Sequence, residues 1–323
     1  MLKRIDNLVT RGVTMCNEYY RWFLVKIGAQ WVAADSSRET TVPGSASIAP
    51  PSQNQHEIRN GVLMNPVKVT LKNGIMTATL ADIENRNALG MALLSGLNEA
   101  LETAEADPEV RALVITNEGS TFCAGANLKE RSGAVSSDPT PQKTIHFEEI
   151  LEKIQSTPLP VIGRIAGHVV GGGNGLAASL DIAIAQEDVK FGFTEVRLGV
   201  IPAIISVVCL PKMRPGEAME AFLRGNRFPA TKAAEFGLIS RAVPAEDLDR
   251  AIEEVLEDLR KGGPHALGQA KRLVYEVPAM EQKEAFKYTA KLSASLFAGD
   301  EAKEGMAAFL GKRKAAWAKE DEA

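Results

Sequence analysis

The sequence predicts an α/β fold whose central sheet contains parallel strands. Short apolar runs that are typical of strands buried on both faces alternate with segments of helical periodicity, as in RALVIT and DIAIA. Hydrophobic residues make up 45% of the 323 residues, which is enough for a sizeable core. The last third of the chain is mostly helical in pattern, so strands and crossovers are expected before it.

The first predicted elements are a hairpin and a helix. Strands are expected at VKVTL and IMTATL, which alternate apolar and polar residues on either side of Asn73-Gly74, a dipeptide that favours a tight turn. A helix is expected at MALLSGLNEALETAEA, because Leu94, Leu97 and Leu101 recur at helical spacing. A buried strand follows at RALVIT.

The middle of the chain repeats this strand signature. Strands are predicted at LPVIGRIAG and DIAIA, with a helical stretch after Gly173 between them, so a βαβ-type crossover is expected. The apolar run LGVIPAIISVVCL is too short to span a bilayer and contains Pro202, so it is predicted as core. Helices are then predicted at AEDLDRAIEEVLEDLRKG, HALGQAKRLVYEV, EQKEAFKYTAKLSASLF and EAKEGMAAFLGKRKAAW.

The composition divides the chain into three predicted parts. Residues 1–63 contain SSRETTVPGSASIAPPSQNQ, whose Ser, Pro, Thr and Gln content predicts a flexible linker. We therefore expect a poorly ordered N-terminal extension without a part in the chemistry, with a short docking helix as the alternative. Residues 64–260 are predicted as the core and residues 261–323 as a C-terminal helical region.

Charge and cysteine content narrow the class of function. A net charge of −4 gives no electrostatic reason to expect a nucleic-acid partner, and no segment predicts a membrane partner. The three cysteines, Cys16, Cys123 and Cys209, match no metal or redox spacing, and their odd number predicts a reducing, cytoplasmic setting. Four histidines argue against a histidine-rich metal site.

A triple glycine is the most informative feature of the sequence. The segment from His168 reads HVVGGGNGLAASLDIAIA, with Gly171–Gly173 just before a predicted helix. Unpaired N–H groups at such a helix start can bind a phosphate or a developing oxyanion. The P-loop sequence Gly-Lys-Ser/Thr is absent, and a dinucleotide-binding crossover would need a longer helix. Close packing of helix on strand explains the glycines equally well.

A second glycine-bearing turn favours the functional interpretation. It reads GSTFCAGANLKE, follows the RALVIT strand and contains Gly125 and Ala126. Two separate turns could each direct one main-chain N–H at a single carbonyl oxygen. Each donor of that kind contributes roughly 3–4 kcal/mol in comparable acyl-transfer sites.

Five segments between Val67 and Trp317 resemble, in order, signatures of the crotonase superfamily, the enoyl-CoA hydratase/isomerase family. They read FCAGANLKE, GRIAGHVVGGGNGLAASLDIAIA, KFGFTEVRLGVIP, GLISRAVP and EGMAAFLGKRKAAW. The resemblance implies a crotonase-like spiral of repeated ββα units, with a helical C-terminal region for trimerisation. It also implies an acyl-CoA thioester substrate, no separate cofactor, and a homotrimer or a hexamer made of two trimers.

The resemblance also implies the catalytic residues. Ala126 and Gly172 would supply the two N–H groups of an oxyanion hole. Hydratases of the family usually hold water between two glutamates, and here the two positions are Gly175 and Glu195. Glu195 is therefore predicted as the single general acid/base, with a pKa raised by burial beside an apolar pocket. A surface ion pair with Arg197 is the alternative.

Further residues are predicted to contact the substrate. Lys312 or Lys314 would reach the nucleotide phosphates from a neighbouring subunit. Asn174 would orient a water in place of the missing acid, or cap the helix start. Cys123 is predicted as a small buried residue, and Asp181 as a turn or salt-bridge residue. The full set predicted to bind substrate is Arg86, Leu89, Ala124, Lys129, Gly171, Gly173, Asn174, Gly175, Lys312 and Lys314.

The resemblance leaves the reaction open between several chemistries. Hydration of the 2,3-double bond of an enoyl-CoA, in fatty acid metabolism, is the first hypothesis. A Δ3,Δ2-enoyl-CoA isomerase, which needs one carboxylate, is the second, and a decarboxylase or a carbon–carbon lyase is also compatible. A non-catalytic acyl-CoA-binding or RNA-binding relative is disfavoured by the retained Glu195 and by the negative net charge.

Overall fold

The computed structural model describes residues 66–132 and 144–318 and shows a mixed α/β fold, as predicted. The predicted extension at residues 1–63 lies outside the described residues. The strands are β1 (Val67–Lys72), β2 (Ile75–Leu80), β3 (Ala112–Asn117), β4 (Thr121–Cys123), β5 (Val161–Ile165), β6 (His168–Val170), β7 (Ile182–Gln186), β8 (Lys190–Gly192), β9 (Phe228–Pro229) and β10 (Arg241–Val243).

The C-terminal region is helical as expected. The prediction of one helix over EAKEGMAAFLGKRKAAW was wrong beyond Leu310, because the chain leaves the helix at Gly311 and Lys312 has a φ of 51°. The α-helices are α1 (Met91–Ala106), α2 (Leu128–Arg131), α3 (Phe147–Ser156), α4 (Gly172–Ser179), α5 (Ala203–Cys209), α6 (Pro215–Arg224), α7 (Ala230–Phe236), α8 (Leu248–Lys261), α9 (Pro264–Glu276), α10 (Gln282–Ala298) and α11 (Asp300–Leu310). Short 3₁₀ turns occur at Glu195–Leu198, Ala245–Asp247 and Val277–Ala279.

The larger sheet has six strands in the order β1-β2-β3-β5-β7-β10. Strands β1 and β2 are antiparallel, and the pairs from β2 to β10 are parallel. The predicted hairpin is confirmed, with Lys72 opposite Ile75 and positive φ angles of 52° and 72° at Asn73 and Gly74. Both central residues of a type I′ turn need such angles, which Asn and Gly tolerate best.

A smaller sheet, in the order β4-β6-β8-β9, positions the candidate site. Its strands β4, β6 and β8 run parallel to one another, so the segments that follow them leave the sheet at one edge. Each of these three strands has three residues, which is too short for a periodic pattern. The sequence therefore indicates the turns that follow these strands but carries no signal for the sheet itself.

The predicted apolar face of α1 is part of the main core. Leu94, Leu97 and Leu101 are buried there together with strand residues of the larger sheet, such as Leu80 and Ile115. Helical spacing places these leucines on one face, and burying each side chain stabilises the fold by about 1.5–3 kcal/mol.

The apolar run LGVIPAIISVVCL is only half core, so the prediction that it is core was wrong for its other half. Helix α5 buries Ile205, Val208 and Cys209, but Val207 is 74% exposed and Ile201, just before the helix, is 72% exposed. A helix turns its residues through all directions, and one face of α5 has a neighbour within the described chain. The run therefore forms both core and an exposed apolar surface.

The C-terminal helices keep large apolar side chains at the surface of the described chain. Phe286, Phe297 and Phe309 are each at least 66% exposed. The end of this region is fixed by Arg111, which donates to the carbonyl oxygens of Trp317 and Gly262 at 2.8 and 2.7 Å. None of the helices in the described part of the chain has both the length and the apolar character that crossing a bilayer requires.

Candidate active site

Three neighbouring strands of the smaller sheet end at the candidate site. Strand β4 is followed by Gly125 and Ala126, β6 by Gly171 and Gly172, and β8 by the segment that contains Glu195. The carboxyl ends of parallel strands meet at one edge of a sheet, where loops are free to bind a ligand. The topology thus brings together three sequence motifs that are up to about seventy residues apart.

The two glycine turns are in direct contact. A Cβ atom on Gly125 would lie 2.9 Å from the nitrogen of Gly172 and 2.9 Å from the oxygen of Val170. Gly125 also has a φ of 83°, a conformation that residues with side chains rarely adopt. A residue without a side chain is required here, since anything larger would separate the two backbones.

Both predicted oxyanion donors have unused N–H groups. Gly172 is the first residue of α4, where an N–H has no intrahelical partner, and its N–H makes no hydrogen bond to any described residue. The same is true of the Ala126 N–H, although neighbouring Gly125 accepts a hydrogen bond of 2.7 Å from the Leu89 N–H. Two free donors on touching turns form an arrangement that can hold one negatively charged oxygen.

Glu195 directs its carboxylate toward the same turn. It begins the 3₁₀ turn Glu195–Leu198, and its Oε1 lies 3.5 Å from the position that a Cβ on Gly171 would occupy. Its Oε2 is buried without a hydrogen-bond partner among the described residues. Burial raises the pKa of Glu195, partly offset by a hydrogen bond from its own backbone. The alternative, an ion pair with Arg197, is not formed among the described residues.

Because the pKa of Glu195 is raised, replacing its carboxylate with an uncharged side chain is expected to stabilise the protein by an amount that depends on pH. A carboxyl group whose pKa is higher folded than unfolded contributes stability below its unfolded pKa, and that contribution is lost as pH rises through the folded pKa. We expect Glu195→Gln to unfold at a higher temperature than the wild type at neutral pH.

The stability gain should disappear in acid, which scanning calorimetry at several pH values would reveal. Below about pH 4 the carboxyl group of Glu195 is mostly protonated in both the folded and the unfolded protein. The wild type and Glu195→Gln should therefore melt at nearly the same temperature. Glu187→Gln, which removes an exposed carboxylate, is the control and should melt like the wild type at each pH. Equal melting temperatures of Glu195→Gln and wild type at neutral pH would contradict a desolvated charge.

Gly175, where a second acid would be expected, is covered by an isoleucine. A Cβ atom on Gly175 would lie 2.7 Å from the Cβ of Ile205 and closer still to its Cγ2. Real Cβ atoms essentially never approach so closely, so the space beside Gly175 is filled by the buried face of α5. The absence of an acid at residue 175 therefore accords with the close packing of α4 against α5.

The packing at Gly175 can be tested through stability. We expect Gly175→Ala to lower the free energy of unfolding by about 1–3 kcal/mol, because the added methyl group overpacks against Ile205. The same substitution in an Ile205→Ala background should cost much less, since the obstructing atoms are gone. Urea unfolding of the four proteins measures the coupling, and equal costs in both backgrounds would show that the contact is absent.

Asn174 connects the two parts of the site. Its fully buried side chain donates 2.9 Å hydrogen bonds to the oxygens of Gly171 and Gly192. The predicted alternative of a helix-start cap was wrong, because a cap accepts with its oxygen and here that oxygen has no partner among the described residues. Asn174 instead ties the turn before Gly172 to the last residue of β8, three residues before Glu195.

Comparison with known proteins supports the resemblance seen in the motifs. The family model described as enoyl-CoA hydratase/isomerase matches residues 70–320. The chain belongs to the enoyl-CoA hydratase/isomerase family. This is the crotonase superfamily, so the fold class predicted from the motifs is confirmed, and the chain is an enzyme of this hydratase/isomerase type.

Individual members of the family match along most of their length. The mitochondrial enoyl-CoA hydratase of Pongo abelii is 35% identical over 230 residues, which is 71% of this chain and 78% of that protein. The structure of Pseudomonas aeruginosa AtuE is 30% identical, with a TM-score of 0.72, and the match covers 79% of this chain and all of that one. An enoyl-CoA hydratase/isomerase from Marinobacter aquaeolei has the same TM-score at 28% identity.

Several residues that the family resemblance assigned to substrate binding surround the two turns. The oxygen of Arg86 accepts a hydrogen bond of 3.1 Å from the Ala124 N–H, and the side chain of Leu89 packs over Gly172. Lys129 lies on the next element, with its Nζ 3.5 Å from Asn85, the neighbour of Arg86. Arg86 and Lys129 are both exposed, as contacts for a charged nucleotide should be.

A buried asparagine in the same loop was missed from the sequence. Asn87 is fully buried, has a φ of 52°, and donates a 2.7 Å hydrogen bond to the oxygen of Thr121. This bond attaches the Arg86 loop to β4, directly before the first glycine turn. Asparagine is enriched among the non-glycine residues that adopt positive φ, so its presence in this loop is a weak sequence signal for the position.

The C-terminal lysines are not brought together with the turns. Their segment is fixed by Arg313, which pairs with Glu304 at 2.6 Å, and by Trp317, whose Nε1 donates to the oxygen of Lys261 at 3.0 Å. Those contacts lie beside Arg111, at the start of β3. A role for Lys312 or Lys314 at the site stays a prediction that requires a neighbouring subunit.

Cys123 is a buried structural residue rather than a candidate nucleophile, in agreement with the prediction. It is fully buried at the end of β4, and burial raises the pKa of its thiol to about 12, partly offset by a backbone hydrogen bond from Gly125. A thiol that stays protonated at neutral pH is a poor nucleophile.

Proposed function

We propose that this chain is an enoyl-CoA hydratase, which adds water across the 2,3-double bond of an acyl-CoA thioester. The observation that carries the proposal is the Glu195 carboxylate, half-buried and directed at the turn that presents the Gly172 N–H. Relatives named enoyl-CoA hydratase at up to 35% identity over most of the chain support the same reaction.

The two turns provide the electrostatic part of the mechanism. The thioester oxygen accepts hydrogen bonds from the N–H groups of Ala126 and Gly172. As water adds at C3, the electron pair of the double bond moves toward that oxygen and an enolate develops there. Each N–H is expected to stabilise this charge by roughly 3–4 kcal/mol relative to an absent donor.

Glu195 performs the proton transfers. Its carboxylate accepts a proton from water while the water oxygen bonds to C3, and the same carboxyl group then gives a proton to C2. Because one group serves both carbons, both atoms add to the same face of the double bond. Burial raises the pKa of Glu195 toward the range in which a carboxyl group can both accept and donate.

Isomerisation of a 3-enoyl-CoA to a 2-enoyl-CoA is the second candidate. It is favoured by the isoleucine that fills the space beside Gly175, because the nearest described atoms to a side chain at residue 175 are apolar and cannot hold a water. Isomerisation needs one carboxylate, which removes a proton from C2 or C4 and returns it to the other carbon.

A labelling experiment separates the two reactions. The purified enzyme is given a 2-enoyl-CoA and, separately, a 3-enoyl-CoA in water enriched in oxygen-18. Hydration yields a 3-hydroxyacyl-CoA that carries the label, whereas isomerisation moves the double bond without incorporating oxygen. Absence of labelled product from every enoyl-CoA supplied would refute the hydratase proposal, and unlabelled 2-enoyl product would establish the isomerase.

We also propose that the enzyme works as a homotrimer, or as a hexamer made of two trimers. The exposed Phe286, Phe297 and Phe309 support association, since an apolar surface of this kind is rarely left in contact with water. Light scattering coupled to size exclusion would report a mass of three or six chains. The cytoplasmic setting and a place in fatty acid metabolism stay predictions.

A further inference from the structure

A cavity that the glycine turns do not line lies at the amino ends of β5 and β7. It has a volume of about 530 Å³ and is bounded by α5, α9 and the residues that begin β5 and β7. The catalytic turns follow the carboxyl ends of β4, β6 and β8, so the two places are formed by different strands and opposite strand ends. Its lining is mainly apolar and includes Val207, Val208, Pro211, Leu259, Leu267 and Val274.

One ion pair in this cavity is complete in itself. Lys271 pairs with Asp181 at 2.8 Å and also donates to the oxygens of Ile154 and Leu159, at 2.7 and 2.9 Å. These three contacts use all the protons of the ammonium group. The ion pair confirms the predicted salt-bridge role of Asp181, which additionally accepts a hydrogen bond of 2.7 Å from the Val161 N–H. This pair therefore has a sufficient structural role.

Lys212, a second lysine that lines the cavity, has fewer hydrogen-bond partners for its ammonium group than Lys271 has. Lys212 donates one hydrogen bond of 2.7 Å to the oxygen of Leu180, and the described residues supply no partner for its other two protons. Asp181, already bound to Lys271, attracts it at longer range. The residues that line the cavity include two lysines and one carboxylate, Asp181, while Glu105 attracts Lys271 from outside this lining. Burial lowers the pKa of Lys212, because its ammonium is partly removed from water.

We infer that this cavity is a second binding site, for a small monocarboxylate with an apolar chain. The carboxylate would accept hydrogen bonds from the two free protons of Lys212 and pair with its positive charge. The chain would lie among the apolar side chains from α5 and α9. The volume falls within the range of ordinary small-molecule pockets, which combine an apolar lining with a few polar groups that fix orientation.

Octanoate is a suitable probe, with octan-1-ol as its uncharged counterpart. Calorimetric titration is performed on the full chain in the presence of saturating butanoyl-CoA, so that the acyl-CoA site is occupied. We expect saturable binding of octanoate and weaker binding of octan-1-ol. Lys212→Met should weaken octanoate binding by about tenfold or more, since a charged hydrogen-bonding partner is lost, and should leave octan-1-ol unchanged.

Two further variants locate the site. Val207→Trp enlarges a side chain that is 74% exposed, so the fold should tolerate it, and it should weaken both probes by filling the cavity. Lys232→Met, which removes a surface lysine paired with Glu235, is the matched control and should bind like the wild type. Octanoate affinity that is unchanged in both Lys212→Met and Val207→Trp, or no saturable binding to the wild type, would overturn the inference.

Discussion

Replacing Glu195 by glutamine is expected to lower kcat for the hydration of a 2-enoyl-CoA by about 10²- to 10⁴-fold. Glutamine has the same shape but cannot accept a proton from water, so substrate binding should persist while the proton transfers fail. KM should therefore change little. The Oε2 atom of Glu195 is buried and makes no hydrogen bond to the described residues, so the substitution breaks no such bond at this atom.

A matched control and a pH profile make the Glu195 prediction specific. Glu187→Gln removes an exposed carboxylate from the turn between β7 and β8 and should leave kcat unchanged. The base must be ionised, so wild-type kcat should fall as pH is lowered through the raised pKa of Glu195. The residual activity of Glu195→Gln should lack that fall. Near-normal turnover by this variant would remove Glu195 from the mechanism.

Gly172→Pro is expected to lower kcat by about 10²- to 10³-fold, because it deletes one N–H of the proposed oxyanion hole. Proline is well tolerated at the first residue of a helix, which is where Gly172 lies. The preceding Gly171, with φ 56° and ψ −127°, has the mirror image of the extended conformation usual before proline, which glycine can adopt. The fold should therefore survive while the donor is lost.

Gly172→Ala is the control for the proline variant. Alanine adds a Cβ at the same place, 2.9 Å from the movable Cδ1 of Leu89, but it keeps the N–H. We expect a loss of activity much smaller than that of Gly172→Pro, measured with the same 2-enoyl-CoA. Similar losses in the two variants would mean that crowding by Leu89 matters and that the Gly172 N–H does not.

The sequence was sufficient to predict those elements whose structure depends on neighbouring residues along the chain. Asn73-Gly74 specified its hairpin because few other dipeptides accept positive φ at both positions. The two glycine turns were noticed because consecutive residues without side chains stand out in a sequence, whereas Glu195 was assigned through the resemblance to the family. Their proximity required the smaller sheet, whose three-residue strands carry no periodic signal.

Features that depend on a partner from elsewhere in the chain could not be predicted. Nothing in the residues around Gly175 indicates that Ile205 covers it, because that contact is a product of how α4 and α5 pack. Asn174 was expected to cap a helix or orient a water, and its two carbonyl partners became apparent when β8 was placed beside β6. The exposure of Val207 likewise depends on what lies next to α5.

The isoleucine over Gly175 also restricts how a second acid could arise at residue 175 of this enzyme. A direct change of residue 175 to glutamate would first disrupt the packing of the helix that carries it, so selection would remove the variant before any catalytic benefit appeared. A smaller side chain at residue 205 has to come first, as a permissive step. Ancestral reconstructions that place the acid and the isoleucine in one protein would contradict this fixed order of events.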